Sequence, residues 1–308
     1  MVPPDPSGRD VNAHATGRWT SPAGVGLAFR ESGRRDGAPM LFLHGLSGSS
    51  ATYDEVRTSV DATHRVFSLD FRGHGGSDRV PGTYQLPNYG ADAAAFIEWI
   101  GRPTAVAGHS LGGAVATYLA GARPELVAGA LLEDPPLYHG DREFFASTIF
   151  PKVFEAMHDT MRRLHGEGAG RDEVRTVLLA QPSSTGGDPA HEATPATIES
   201  RVDAFLACDP SVFDPAITGD AIGGWDPDTP IPDSVQLTLL RADPALHPAF
   251  LPENEARFLR AAPHTRIVEI TGAPHGIHAF AASTDRYLTE LRSLLGRAAH
   301  DDRDADAR

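Results

Sequence analysis

Thr104-Ala105-Val106-Ala107-Gly108-His109-Ser110-Leu111-Gly112-Gly113-Ala114-Val115-Ala116 is the stretch on which the reading of this chain turns. An apolar run of small and β-branched residues meets Gly-His-Ser-Leu-Gly, and a helix-forming Ala/Val/Tyr/Leu pattern follows at once. The spacing is G-x-S-x-G between a strand and a helix, which places the serine at the apex of a sharp bend. Side chains at Gly108 and Gly112 would collide with neighbouring backbone in so tight a turn, hence glycine at both positions. Ser110 is thereby pushed clear of the sheet, above the N-terminus of the following helix. That positive end, with the free N–H of Leu111, favours negative charge developing beside the hydroxyl.

Working outward, the segments on either side alternate in type. Arg18–Ser21 and Val25–Glu31 around Pro22-Ala23-Gly24 suggest a hairpin. Pro39–Gly45 is a continuous apolar run of the kind buried on both faces. A short helix near 51–60 leads to a strand at 65–70, and an amphipathic helix over 88–101 leads into the strand before Ser110. A helix over 111–122 and a strand over 126–132 follow. This rhythm predicts a mostly parallel sheet covered on both faces. It breaks between about Asp134 and Asp233, where helical stretches at 141–165, 171–181 and 195–207 are separated by Pro/Gly/Ser/Thr-rich joints. It resumes with a strand at 235–240, a helix near 253–261, a strand at 265–270 and a last helix at 283–297. The expected organisation is therefore a core of 17–134 and 233–298, a helical cap inserted over 135–232, a disordered arm at 1–16 and a disordered acidic tail at 299–308.

Bulk properties narrow the function classes. The 308 residues are 41% apolar, enough for one large α/β domain with an insert. A formal charge of −14 argues against nucleic acid or an anionic membrane as partner. One cysteine, Cys208, allows no intrachain disulfide. No secretory apolar segment follows Met1 and no apolar run approaches the roughly 20 residues of a membrane span, so the expected location is cytoplasmic. A small-molecule substrate is the expected partner, with no metal or organic cofactor, since the histidines lack ligand spacing such as H-E-x-x-H.

An activated serine needs a base, and the base an orienting carboxylate. In an open parallel sheet, groups that act together come from loops at the C-terminal ends of strands. Among 14 histidines, that rule selects His275, in Gly272-Ala273-Pro274-His275-Gly276-Ile277-His278, with His278 as competitor. For the acid it selects Asp243, after the penultimate strand, ahead of Asp134 in Leu132-Glu133-Asp134-Pro135, because the Asp134 loop opens the insert and has Glu133 beside it. Aspartate before proline also makes caps and Asx turns, the structural alternative for either residue. The N–H groups of Leu46 and Leu111 are the expected oxyanion donors; losing one typically costs roughly 3–4 kcal/mol in the barrier. His44, His109, Tyr138, Phe144 and Phe145 are the candidate substrate-binding residues.

With these residues assembled, the chain resembles the α/β-hydrolase superfamily over about 25–133 and 235–297. Three blocks carry the resemblance: His44-Gly45-Leu46-Ser47-Gly48, Asp70-Phe71-Arg72-Gly73-His74-Gly75-Gly76-Ser77-Asp78 and Gly108-His109-Ser110-Leu111-Gly112-Gly113. It implies an α/β-hydrolase fold with an eight-stranded, mostly parallel sheet, a helical cap, and Ser110, His275 and Asp243 as a triad. It also implies that the middle block is structural. The serine nucleophile, and the absence of proline after His44-Gly45-Leu46, set the chain apart from relatives that attack with a carboxylate. The expected chemistry is hydrolysis of a small, apolar carboxylic ester, lactone or thioester through an acyl-enzyme. The competing expectations are C–C bond hydrolysis or cofactor-free perhydrolysis on the same scaffold, and a small-molecule receptor with vestigial turnover.

Overall fold

A computed structural model of the chain describes residues 15–181 and 192–306. Its strands are β1 (Ala15–Thr20), β2 (Gly26–Gly33), β3 (Ala38–Leu43), β4 (His64–Leu69), β5 (Thr104–His109), β6 (Val127–Glu133), β7 (Gln236–Ala242) and β8 (Arg266–Ile270). They form a single eight-stranded sheet in the order β1-β2-β4-β3-β5-β6-β7-β8. The β1–β2 and β2–β4 pairs are antiparallel and every other pair is parallel. The expected α/β-hydrolase sheet is thus present, with its N-terminal hairpin at one edge. Of the expected arm, residues 1–14 lie outside the described residues, while Ala15 and Thr16 already belong to β1.

Alternation along β3 explains why the sheet sits in the middle of the molecule. Met40, Leu41, Phe42 and Leu43 are all fully buried, yet they point in opposite directions. Leu41 and Leu43 join Val106, Leu132 and Leu239 on one face, under Phe96, Ile97, Val115 and Leu119. Met40 and Phe42 join Ala107, Leu131 and Leu240 on the other, against Tyr53, Val56, Leu291 and Leu294. The covering helices are α1 (Asp54–Arg57), α2 (Leu86–Ile100) and α3 (Leu111–Ala122) from the first half of the chain. The insert after β6 holds α4 (Arg142–Ser147), α5 (Phe150–Glu167), α6 (Arg171–Leu179), α7 (Pro195–Ala207) and α8 (Asp214–Thr218), and the return to the core adds α9 (Glu255–Ala261) and α10 (Thr284–Asp306). Each side chain so buried stabilises the fold by roughly 1.5–3 kcal/mol relative to exposure.

Three helices depart from expectation. The one near 51–60 is a 3₁₀ turn, Ser50–Tyr53, followed by the single turn α1. The 141–165 stretch is two helices, because Pro151 lies in the first turn of α5, where its missing N–H costs nothing and a fresh helix can start. The last helix runs on to Asp306 through most of the stretch expected as a tail. Between β6 and β7 the described residues hold helices and turns but no strand. This insert is tied to the core by polar contacts: Thr194 and Thr197 donate to Glu55 at 2.7 and 2.9 Å, and Asp209 N–H donates to Gly73 O at 2.8 Å. Among the described residues no helix is long and apolar enough to cross a membrane.

Candidate active site

Ser110 sits between β5 and α3 with φ 51° and ψ −114°, a left-handed conformation that an L-residue adopts only under constraint. The constraint is visible on both sides. A Cβ on Gly108 would lie 2.1 Å from Gly112 O, and one on Gly112 would lie 2.0 Å from Leu43 O. Ser110 N–H donates to Glu133 O at 2.9 Å, so the end of β6 pins the bend. The serine therefore stands where the motif predicts. Among the described residues its hydroxyl takes no hydrogen-bond partner; catalytic contacts are often loose without substrate and tighten on binding.

His275 lies in the loop after β8, and its Nδ1 is 2.6 Å from Oδ2 of Asp134. Asp134 is fully buried, and its carboxylate accepts also from Ala249 N–H at 2.8 Å and Phe250 N–H at 3.2 Å. Its backbone takes φ 43°, a second strained non-glycine turn at a strand end. The structure thus brings Asp134, and not the expected Asp243, to His275. Asp243 Oδ1 caps the 3₁₀ turn Pro244–Leu246 through Ala245 N–H at 2.8 Å, and Oδ2 accepts from Gly272 N–H at 2.7 Å. Those two donors, Gly272 first, lower its pKa. It performs the capping role open to an aspartate before proline, and its carboxylate is occupied in the wall of the loop.

His278, the competing base, is committed elsewhere. Its Nδ1 is 2.7 Å from Oε2 of Glu133 and its N–H donates to Oε1 at 2.9 Å. Both side chains are buried, with the imidazole stacked on Tyr53 at 4.5 Å and near Tyr287 at 5.7 Å. His275 keeps 27% of its side chain accessible, so it is the histidine with a nitrogen, Nε2, that can reach an incoming group.

Leu46 and Leu111, the residues expected to supply the oxyanion donors, line the same cavity as Ser110, and no described backbone acceptor takes either N–H. Two histidines shape the loop that carries Leu46. His44 is fully buried; its Nδ1 donates to Gly45 O at 2.8 Å and its Nε2 accepts from Phe71 N–H at 3.1 Å. His74 accepts from Ser47 N–H at 3.2 Å, holding Ser47 at φ 63°, and donates to Arg72 O at 2.9 Å. Burial pulls these imidazoles down to about 4 for His44 and about 3 for His74, so both are neutral at pH 7. The middle block of the resemblance thus positions the loop. His44 supports that loop and does not line the cavity, which corrects its expected substrate-binding place.

The cavity at Ser110 is a recess of about 70 Å³ walled mostly by apolar side chains, among them Leu86, Phe145, Phe154, Val212 and Ile222. Phe145 stands where the sequence places it. Phe144 does not: it packs against the core, 6.0 Å from the His139 ring. Tyr138 is also outside the recess, covered by the Arg257 guanidinium at 4.3 Å. His109 lines a second recess and has its Nε2 3.1 Å from His275 O. Sequence reasoning missed His139, a buried wall residue whose Nε2 has no hydrogen-bond partner. Burial, then the charge of His275, pulls it down to about 3. It lies five residues after Asp134, a proximity that choosing Asp134 over Asp243 would have flagged. Among the described residues no group of three or more His, Cys, Asp or Glu is arranged to hold a metal ion.

Comparison with known proteins agrees with this architecture. The chain is 38% identical over 119 residues to a non-heme chloroperoxidase of Streptomyces lividans, covering 38% of this chain and 43% of that one. It is 36% identical over 126 residues to a bifunctional esterase/perhydrolase of Acinetobacter calcoaceticus, covering 39% and 46%. The chain thus spans less than half the length of the curated relatives it matches. The crystal structure of an enol-lactonase from Burkholderia xenovorans superposes with a TM-score of 0.65 at 18% identity, over 91% of this chain and all of that one, a likeness of fold. A family model described as the alpha/beta hydrolase family matches residues 40–288, a span that holds every element of the site from the Leu46 loop to His275, and the chain belongs to that family.

Proposed function

We propose that the chain is a serine hydrolase acting on small carboxylic esters, with lactones and thioesters in the same class. Ser110 is the nucleophile, His275 the general base and Asp134 the acid that orients it. The observation carrying this reading is the 2.6 Å contact between His275 and buried Asp134, beside a serine held at φ 51° on the elbow. Asp134 fixes Nδ1 of the imidazole as the protonated nitrogen, so Nε2 is free to take the serine proton. Ser110 Oγ bonds to the acyl carbon, and the oxyanion is met by Leu46 and Leu111 N–H. The C–O bond then breaks, and His275 returns the proton to the departing alcohol. Water, deprotonated by the same nitrogen, releases the acid. The 70 Å³ recess suits a short acyl or alcohol group.

The test is a panel of short-chain aryl esters with wild type and Ser110→Ala. Turnover that drops by about four orders of magnitude or more supports the reading; turnover by Ser110→Ala within tenfold of wild type refutes it. A second reading is supported by the names of the relatives: hydrogen peroxide takes the place of water and the released product is a peroxyacid. Adding peroxide to the ester assay and measuring oxidation of a halide decides it.

A further inference from the structure

The second recess, about 230 Å³, is larger than the one holding Ser110 and differs from it chemically. Its walls include Gly45, Ser47, His109, Arg201 and His278 and, among the described residues, no carboxylate. It adjoins the reaction centre. Leu46 is common to both recesses. A Cβ on Gly45 would come within 2.6 Å of His109 Nδ1 and 3.4 Å of Ser110 Cβ, and the His109 and His275 rings are 4.6 Å apart.

Two polar groups in these walls are unspent. Arg201, on α7, forms no hydrogen bond and no ion pair within 4 Å with any described residue, although nearly every other arginine on the insert has a carboxylate or carbonyl partner. Its side chain keeps open surface while surrounding protein desolvates its charge, the condition of a group facing into a recess. Glu192 offsets part of that desolvation from longer range. His278 is only 3% exposed, and its Nε2 has no partner. Glu133 fixes its Nδ1 as the donor towards the core, so Nε2 is an acceptor, suited to a hydroxyl or N–H of a ligand and not to its carboxylate. His109, also in the wall, is held neutral by burial and then by the rings of His275 and His278, with Arg201 adding to the effect. A buried polar atom without a partner carries a desolvation cost that a ligand can recover.

We propose that this recess binds a carboxylate carried by the substrate, with Arg201 as its anchor. The guanidinium presents a planar pair of donors that matches a carboxylate. The substrate class is then a monoester or lactone of a short dicarboxylic acid. Its reacting carbonyl lies at Leu46, its apolar part in the smaller recess and its free carboxylate in the larger. This proposal rests on the serine-hydrolase reading for the reaction, though not for the binding.

The experiment compares p-nitrophenyl hemiglutarate with the neutral p-nitrophenyl valerate, using wild type, Arg201→Gln and Arg201→Lys. The ratio of kcat/KM for the hemiester to that for the neutral ester should fall tenfold or more in Arg201→Gln, mainly through KM, and recover in part in Arg201→Lys. In parallel, calorimetry measures glutarate binding to Ser110→Ala and to the Ser110→Ala/Arg201→Gln double variant. Binding should weaken at least tenfold in the latter. An unchanged substrate ratio, or equal glutarate binding by both proteins, overturns the proposal. Glutarate binding that depends on Arg201, in a protein that hydrolyses neither ester, would leave the anion site standing while sinking the hydrolase reading.

Discussion

Glu133 and Asp134 are neighbours in the chain at the end of one strand, and each holds Nδ1 of a histidine from the loop after β8. The contact distances are nearly equal, 2.7 and 2.6 Å. Their surroundings differ. The Glu133–His278 pair is buried against Tyr53 and Tyr287, with its second nitrogen on the larger recess, whereas His275 stays partly open and meets Phe150 of the insert at 5.5 Å. Consecutive residues on a strand point to opposite faces, so the chain delivers one carboxylate downward into the core and the next, through the strained φ of Asp134, towards the elbow. A carboxylate–histidine contact alone therefore does not mark a catalytic pair. What separates the two is whether the second ring nitrogen can reach a substrate beside the serine.

The largest effect expected from breaking this contrast falls on the open pair. Asp134→Asn turns the group facing His275 into a donor, forcing the ring into the tautomer that cannot take the serine proton; kcat for an aryl ester should fall by about 10⁴-fold. Asp243→Asn keeps a capping oxygen for Ala245 N–H and should leave kcat within about threefold, with a modest loss of thermal stability. Steady-state kinetics on the two variants side by side decide between the acids; the reverse ranking would restore Asp243.

That confusion shows where the sequence stops being legible. The elbow, the Leu46 loop and the position of His275 could be read directly, because each rests on local backbone chemistry: two glycines in a tight bend, small residues after an apolar strand, a loop at a strand's C-terminal end. The choice between Asp134 and Asp243 depends on how far the loop after β8 leans back across the sheet, a tertiary distance with no local signature. Glu133 counted against Asp134 in the sequence, although its carboxylate faces the other way and serves His278. The phenylalanines of the insert behave likewise: 144 and 145 look alike in sequence, and only the helix rotation puts Phe145 at the cavity.

On the buried pair, removing charge should act on stability before activity. Glu133→Gln leaves the buried His278 without its acceptor on one oxygen, and a buried donor left unsatisfied costs about 1–3 kcal/mol. Urea denaturation should register a loss of that order, while kcat falls far less than in Asp134→Asn. A drop in kcat as large as that of Asp134→Asn, with stability intact, would erase the distinction between the pairs.

Acid should destabilise through a third group of histidines, those with no carboxylate partner. His44, His74 and His139 are held at about 4, 3 and 3, below the 6.5 they would have when exposed. The unfolded chain therefore binds protons that the folded chain refuses. Their contribution is complete above about pH 6.5 and is lost as pH falls towards the folded values, by about 1.4 kcal/mol per pH unit for each ring. Denaturation midpoints between pH 7 and 4 should follow that slope, and His139→Leu should remove one ring's share, about 1.4 kcal/mol per pH unit.

The smallest effect tests whether a histidine without any carboxylate can matter to rate. His74 touches no substrate; it accepts Ser47 N–H and so fixes the loop whose next-door N–H, that of Leu46, is the proposed oxyanion donor. His74→Ala removes that acceptor. An oxyanion donor is worth about 3–4 kcal/mol only where its aim is held, and partial loss of aim should lower kcat by about tenfold with KM nearly unchanged. His74→Asn, which can still present an acceptor to Ser47, should recover part of the loss. Equal kcat in both variants and wild type would mean that the glycines and the strained Ser47 alone hold the loop, leaving His74 to packing.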